Sequence, residues 1–519
     1  MPNSIWVDVE DLFQYAAFNP RPSGIQRIEY ELCRALVSLP ETRQRVRFVR
    51  HANASNSFYA VSYHQIETLY DGLVRAQPQA APRPAGPPPV PEPLPEGAFE
   101  RSRLRRIAYR IPPGLRTPMV SFYKAEREAG TALRQIGREL AWGLAARLQA
   151  QRRPATRPDA GGVPAEPPAG AEPGGRDTAA LIPAGRDTLD HDNFDRDCRP
   201  GDLLLVLGSP WFHPFYADMI AKAQRQRGVR FALLVYDLIP LRRPEWCDHN
   251  LALRFREWTG KVFPLVDNFL TISRASAQDI THLARKGGYT LRAEPQPIPI
   301  GTGFSALGGE ADETATLRPE RLPEPGSYVL IVSTIEARKN HILLFRIWRR
   351  LLEEMPPGQV PTLVFAGRVG WLVSDLMQQL RNADFLDGKI QLIKDPTDLD
   401  LRHLYSGCRF TLFPSLYEGW GLPVTESLSF GKPCVISRST SLPEAGGTLA
   451  RYFDPEDGNE AYAVIRDLIE HPEQVAAWTE RVRREFRPVS WEESARGMLD
   501  VLGIHPARAA DAPVLAHPA

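Results

Sequence analysis

The sequence predicts an α/β protein built from two doubly wound domains that face each other across a cleft. Three observations lead there. Short apolar runs alternate with helical patterns along most of the chain, the runs are apolar throughout rather than at every second residue, and they fall into two series. Strands buried on both faces and separated by helices make parallel sheets covered on each side. A length of 519 residues is also too great for one core.

The first series of runs lies at 5–9, 46–49, 203–207, 231–235 and 269–272. The second lies at 328–332, 362–365, 390–393, 410–413 and 434–436, with helical patterns between, as at 341–354 and 423–430. The chain therefore divides into an N-terminal domain at 1–305, a Gly/Pro-rich linker at 306–327 and a second domain at 328–480. A last helical segment at 481–505 and a tail at 506–519 follow. The first domain carries an insertion at about 77–187. Both its ends are rich in proline, which excludes helix and central strand and favours extended, unfolded chain. Between them, residues 101–153 hold thirteen Arg or Lys against three Glu. Leu133, Ile136, Leu140, Leu144 and Leu148 recur there at helical spacing, so a basic amphipathic helix is expected, packed on the domain or touching an anionic membrane.

Composition excludes several classes. A net charge of +1 gives no general attraction to nucleic acid. The five cysteines have no CxxC spacing, which argues against a zinc site and for free thiols in a reducing compartment. Residues 1–10 lack a basic, apolar leader, and no run approaches the ~20 apolar residues of a membrane span. The expectation is a cytoplasmic protein, peripheral on the inner face of the membrane if 101–153 binds lipid. The DxD-like pairs Asp190/Asp192 and Asp195/Asp197 follow no apolar strand, so no metal site is expected from them.

Two segments of the second domain carry chemistry. Residues 333–341 (Ser-Thr-Ile-Glu-Ala-Arg-Lys-Asn-His) follow a strand and are expected to open a helix. Arg338 and Lys339 would then join the positive end of the helix dipole in an anion site. Arg grips phosphate in two places and Lys acts as a point charge, which suits a departing diphosphate. Residues 413–426 follow another strand. Pro423 suits a first helical turn, Glu426 falls in that turn, and Glu418 lies in the loop before it. Both carboxylates are expected above the strand end, where they can accept hydrogen bonds from sugar hydroxyls. Gly419 and Gly421 leave backbone N–H groups open to a ligand. On the other domain, His213 follows the run at 203–207 and Asp237 the run at 231–235, both candidates for an acceptor side.

Glu418 through Glu426 resembles the E-x7-E motif of the family-four retaining glycosyltransferases of group 1 type, and 333–341 resembles that family's phosphate-binding segment. Residues 21–27, 268–280, 365–372, 441–444, 453–455 and 490–495 resemble further segments of the family, so the likeness covers about 1–75 and 200–505. It implies the GT-B architecture, with 490–495 opening a helix that returns to the N-terminal domain. It also implies that Glu418 meets the donor sugar and Glu426 the ribose. Arg338 and Lys339 would hold the diphosphate, Thr334, Gly419, Gly421 and Leu422 would line the donor site, and Gly24 would cover it from the other domain. The implied reaction retains anomeric configuration and needs neither metal nor cofactor. The donor is a nucleotide-diphosphate sugar, GDP-mannose favoured and a UDP-sugar next. The acceptor is a glycan or lipid-linked glycan of polysaccharide synthesis, as in bacterial mannosyltransferases. Two positions depart from the pattern. Tyr236 stands where many members have His before Asp237, and Thr334 where many have Arg. A nucleotide-sugar epimerase and a non-catalytic partner protein on the same architecture are the alternative readings.

Overall fold

Strand β1 (Ile5–Asp8) is buried along its whole length, and its neighbours explain why. It lies inside a seven-stranded sheet of order β3-β2-β1-β4-β5-β6-β7, formed with β2 (Val46–Arg50), β3 (Tyr59–Val61), β4 (Leu203–Val206), β5 (Arg230–Val235), β6 (Asn268–Thr271) and β7 (Gln296–Pro297). Every pairing is parallel except β2–β3. A second sheet has the order β10-β9-β8-β11-β12-β13. It comprises β8 (Tyr328–Val332), β9 (Thr362–Ala366), β10 (Ile390–Ile393), β11 (Thr411–Phe413), β12 (Cys434–Ser437) and β13 (Ala450–Phe453), all parallel. These come from a computed structural model, which describes residues 4–19, 21–51, 57–75, 193–303, 319 and 321–505. The insertion at about 77–187, its basic segment 101–153, most of the linker, the tail and the Asp190/Asp192 pair lie outside the described residues.

The two doubly wound domains expected from the apolar runs are present. Each sheet has apolar clusters on both faces: Leu205, Ala232 and Leu270 on one side of the first sheet, Leu204, Phe231 and Phe269 on the other. In the second sheet Val329 and Ile331 face one cluster, and Leu330 and Val332 the other. The ten sequence runs fall within a residue of observed strands. β3, β7 and β13 were not expected. They are short edge strands of two to four residues, and an edge strand buries too little to need a continuous apolar run.

The expected last helix is Trp491–Val501. It starts on a capping box in which Ser490 Oγ accepts from the Glu493 N–H and Glu493 accepts from the Ser490 N–H. Trp491, Ala495, Met498 and Leu499 join the core of the N-terminal domain, against helix α2 (Gly24–Ser38). A Cβ at Gly301 would stand 2.3 Å from the Trp491 ring, so glycine there admits the indole. Four cysteines are buried, Cys247 is half-buried, and all five are free thiols. Among the described residues, no helix is long and apolar enough to cross a membrane.

Candidate active site

Both sheets have a switch point, where the strand order reverses and adjacent strands send their following loops to opposite faces. In open parallel sheets ligands bind in the crevice that this leaves at the carboxyl ends of the strands. In the second domain the switch point lies between β8 and β11. The chain leaving β8 is the segment 333–341, and the chain leaving β11 is the segment 414–426.

After β8 the backbone does not enter a helix at once. Ala337–Lys339 forms a 3-10 turn, Asn340 takes a left-handed conformation (φ 57°), and the helix begins at His341 (His341–Glu354). Asn tolerates that conformation better than most residues, and its amide donates to the Pro455 carbonyl at 3.2 Å. This corrects the expectation that Arg338 and Lys339 open the helix: they lie in the turn ahead of it. Their charges are also already balanced. Arg338 Nη1 donates to Glu418 Oε2 at 2.8 Å and to the Tyr417 carbonyl at 2.5 Å, while Nη2 donates to Glu336 Oε1 at 2.6 Å. Lys339 Nζ donates to Glu418 Oε1 at 2.6 Å. Two cations thus face two buried carboxylates. Burial works to raise the Glu418 carboxyl, but Arg338 and Lys339 outweigh it and hold it at about 2. Burial pushes Lys339 down, with Arg338 adding to the push. Nearby His341 is pushed down to about 3 by burial, so it is a neutral ring, edge-on to Phe365 with Nε2 3.3 Å from Ser333 Oγ.

The loop carrying Glu418 is clamped from the chain beyond β12. Thr440 Oγ1 accepts the Glu418 N–H at 2.9 Å and donates to its carbonyl at 2.8 Å. Ser441 Oγ reaches the carbonyls of Glu418 and Trp420 at 2.9 and 3.0 Å. Gly419 has a steric reason to be glycine: a Cβ there would lie 2.5 Å from the Tyr236 carbonyl of the other domain. Gly421 has φ 115°, and its Cβ would meet Leu442 at 2.7 Å. Thr334 sits against Gly370, whose Cβ would fall 2.7 Å from the threonine methyl.

Glu426, in the helix Leu422–Ser429, belongs to a separate network. Its Oε1 accepts from Arg27 Nη1 at 2.8 Å and its Oε2 from the Tyr405 hydroxyl at 2.9 Å, and Arg27 also pairs with Asp398 at 3.3 Å. Arg27 is in the first turn of α2, in the other domain. One turn back, Gly24 lies against Leu422, 3.2 Å from its Cδ1 to an added Cβ. Leu422 and Trp420 both pack on the N-terminal core. The structure therefore gathers Arg338, Lys339 and Glu418 in one cluster, with Asp237 near enough to feel all three charges. It holds Glu426, Gly24 and Leu422 at the domain contact beside it.

The remaining candidates lie in the N-terminal domain. Tyr236 donates its hydroxyl to the Leu207 carbonyl at 2.7 Å, so its polar end is committed inside that domain. His213 is buried, accepts the Phe215 N–H at 3.2 Å, and lines a separate recess. Sequence reasoning gave no role to Arg27, Glu336, Tyr405, Asp398, Thr440 or Ser441. Arg27, Glu336 and Ser441 fell inside segments that the sequence singled out, at 21–27, 333–341 and 441–444, whereas Tyr405, Asp398 and Thr440 had no local signal.

Comparison with known proteins places the chain in a family. The family described as "Glycosyl transferases group 1" matches residues 312–485, which span both segments of the β8/β11 switch point. An Escherichia coli protein named serotype-specific mannosyltransferase WbdA is 26% identical over 293 residues, covering 54% of this chain and 34% of that protein. The chain thus matches about a third of that relative's length. The MMP alpha-(1->4)-mannosyltransferase of Mycolicibacterium hassiacum is 34% identical over 321 residues, covering 61% of this chain and 71% of that one. Among solved structures, Anabaena Alr3699/HepE in complex with UDP and glucose is similar with a TM-score of 0.44 and 16% identity, over 58% of this chain and 78% of that one. With a relative 34% identical and matched over 71% of its length, the chain belongs to the group 1 glycosyltransferases.

Proposed function

We propose that the protein transfers a sugar, mannose in the first instance, from a nucleotide-diphosphate sugar to a glycan or lipid-linked acceptor in polysaccharide synthesis, with retention of configuration. The carrying observation is the Arg338–Lys339–Glu418 cluster at the switch point between β8 and β11. Relatives named as mannosyltransferases support the choice of sugar.

In this reading Glu418 holds the place of the donor's diphosphate until the donor arrives. The diphosphate takes over Arg338 and Lys339, and the released carboxylate turns to the sugar hydroxyls. As the anomeric C–O bond breaks, the electron pair goes to the diphosphate oxygen, where the two cations stabilise it. The acceptor oxygen adds on the same face, and its proton passes to the departing phosphate. No metal enters these steps. GDP is the favoured nucleotide and UDP the second, with Glu426 and Arg27 beside the ribose.

Isothermal titration with GDP and UDP in EDTA tests the site. The expected result is binding by one of them, weakened at least about tenfold in Lys339→Ala, the scale of one charge-assisted contact. Absence of binding by either nucleotide sinks the proposal. Product analysis with GDP-mannose then reads the sugar and its anomeric configuration. Peripheral placement on the membrane through residues 101–153 is tested by vesicle flotation with and without that segment, where equal recovery removes it.

A further inference from the structure

Tyr417, the residue before Glu418, is held at its two ends by different domains. Its carbonyl accepts from Arg338 Nη1 at 2.5 Å, inside the charged cluster of the second domain. Its hydroxyl donates to Asp279 Oδ2, in the helix Arg274–Gly287 of the N-terminal domain. The other oxygen of that carboxylate, Oδ1, lies 3.2 Å from Arg242 Nε. Both oxygens of Asp279 are thus engaged, and a buried carboxylate gripped on two sides has little freedom to turn. Burial pushes the Tyr417 hydroxyl up and Asp279 adds to the push, so the hydroxyl keeps its proton and remains a donor.

The same helix is gripped a second time. Glu444, in the short helix Leu442–Gly446, accepts the Arg274 N–H on one oxygen and the Ala275 N–H on the other, both at 2.9 Å. These are the first two N–H groups of their helix, which have no partner within it, and the positive end of the helix dipole favours the carboxylate. Asp279 stands one turn beyond Ala275. Just ahead of Glu444 come Thr440 and Ser441, which clamp the Glu418 backbone. The two grips therefore bracket the Glu418 loop, one on Tyr417 before it and one through the segment that clamps it. Between them Gly419 rests on the Tyr236 carbonyl, which accepts from Ser276 Oγ at 2.8 Å, again on the same helix.

Two other contacts between the domains are exposed. Trp371 Nε1 donates to the Trp246 carbonyl at 2.7 Å, and Arg368 Nη1 donates at 3.2 Å to Asn19 Oδ1, just past the helix α1 (Glu10–Phe18). They tie the domains together but end on neither Arg338 nor Glu418. Tyr417 does both at once. Arg338 is aimed by three acceptors: Glu418, Glu336 and the Tyr417 carbonyl. Once a diphosphate displaces Glu418, the last two remain. Glu336 is only two residues away and moves with Arg338, whereas the Tyr417 carbonyl belongs to a residue whose side chain is anchored on the other domain. A donor displaced by a fraction of an ångström loses much of its effect on the group it meets.

We infer that Tyr417 and Asp279 are positioning residues for the donor site, a strut that holds Arg338 in line with the diphosphate from across the domain boundary. This rests on the transferase reading above. A change at Asp279 in one domain is then felt at Arg338 in the other.

Isothermal titration with GDP and UDP and hydrogen–deuterium exchange, both on the full chain, test this. Tyr417→Phe removes only the hydroxyl, and Asp279→Ala removes its acceptor. Each is expected to weaken nucleotide binding about three- to tenfold, the scale of one hydrogen bond. Each also speeds exchange in the segments 333–341 and 414–421 of the second domain. The double variant binds no more weakly than either single one, because the two residues act as a unit. Asp279→Asn keeps an acceptor for the hydroxyl and restores most of the affinity. Asn19→Ala, which breaks an exposed contact between the domains, changes neither readout. Additive losses, an Asp279→Asn variant as weak as Asp279→Ala, or unchanged exchange in both segments overturn the inference. If neither nucleotide binds the wild type, the transferase reading falls and exchange alone decides the strut: faster exchange in Asp279→Ala sustains it, and unchanged exchange overturns it. Tyr417→Phe keeps the ring and its packing, so a weakened site in that variant does not arise from unfolding.

Discussion

The two switch points differ in how their buried charges are balanced. Between β8 and β11, Arg338 and Lys339 meet Glu418 and Glu336 with every charge matched. Between β1 and β4, Asp8 and Glu10 are matched by His51 and Arg50, but Asp11 and Glu29 face each other with no cation between them. The same backbone crevice thus carries balanced charge in one sheet and an unbalanced acid pair in the other. The sheet supplies the location, and a few side chains decide what fits.

The sharpest way to break this contrast is Glu418→Gln. It takes from Lys339 the carboxylate it donates to and leaves Arg338 with Glu336, which costs about 3–5 kcal/mol for a buried pair broken on one side. Urea denaturation should show that loss in the free protein. A nucleotide diphosphate should recover part of it, giving a larger stabilisation of the variant than of the wild type. An equal ligand effect in both would mean that Glu418 does not hold the diphosphate's place.

Next in size, Gly208→Ala should cost about 1–3 kcal/mol, as overpacking does, because its methyl runs into Asp11 and Glu29. Nucleotide affinity should be unaffected, and a coupled loss would join the two sites more tightly than the contacts indicate.

The third test uses pH, where the two acids have opposite signs. Arg338 and Lys339 depress the Glu418 carboxyl against its burial. Its contribution is therefore complete above the ordinary carboxylate range and lost as pH falls toward about 2. Burial, with Asp11 and Asp8 adding to it, pushes Glu29 well up. Its contribution is present at low pH and lost as pH rises through the elevated value. Glu29→Gln mimics the protonated form. It should raise stability at the alkaline end and flatten the profile there. An unchanged alkaline limb would show that Glu29 is not under strain. The smallest effect is expected for Phe212→Ser, within about 0.5 kcal/mol by thermal melt, since the ring is half exposed.

The contrast also explains what was legible in the sequence. The segments that carry the charged cluster are continuous: 333–341 and 413–426 each run from a strand end through a turn, and their Gly, Pro, Arg and Glu residues stand in recognisable order. That Glu418 lies between Arg338 and Lys339 was not legible, because the partners are 79 or 80 residues apart and no periodicity links them. The acid cluster between β1 and β4 was hidden further. Asp8, Glu29, His51 and Ser209 come from four segments, each ordinary in its own context, and only His213 stood out beside its strand. Apolar runs revealed the central strands because burial on both faces demands them. β7, with two exposed residues, makes no such demand. Tyr236 was visible as a departure from the family's His, but its bond to the Leu207 carbonyl depends on a strand 29 residues away.

The return of the helix Trp491–Val501 to the N-terminal core changes what the two domains are to each other. The backbone crosses between them twice, once through the linker and again just before Ser490. Two strings restrain a pair of bodies more than one does. During synthesis the helix that completes the first core emerges only after the whole second domain. The N-terminal half therefore waits, with its Trp491 socket at Gly301 unfilled, until nearly 190 residues after that glycine have been made.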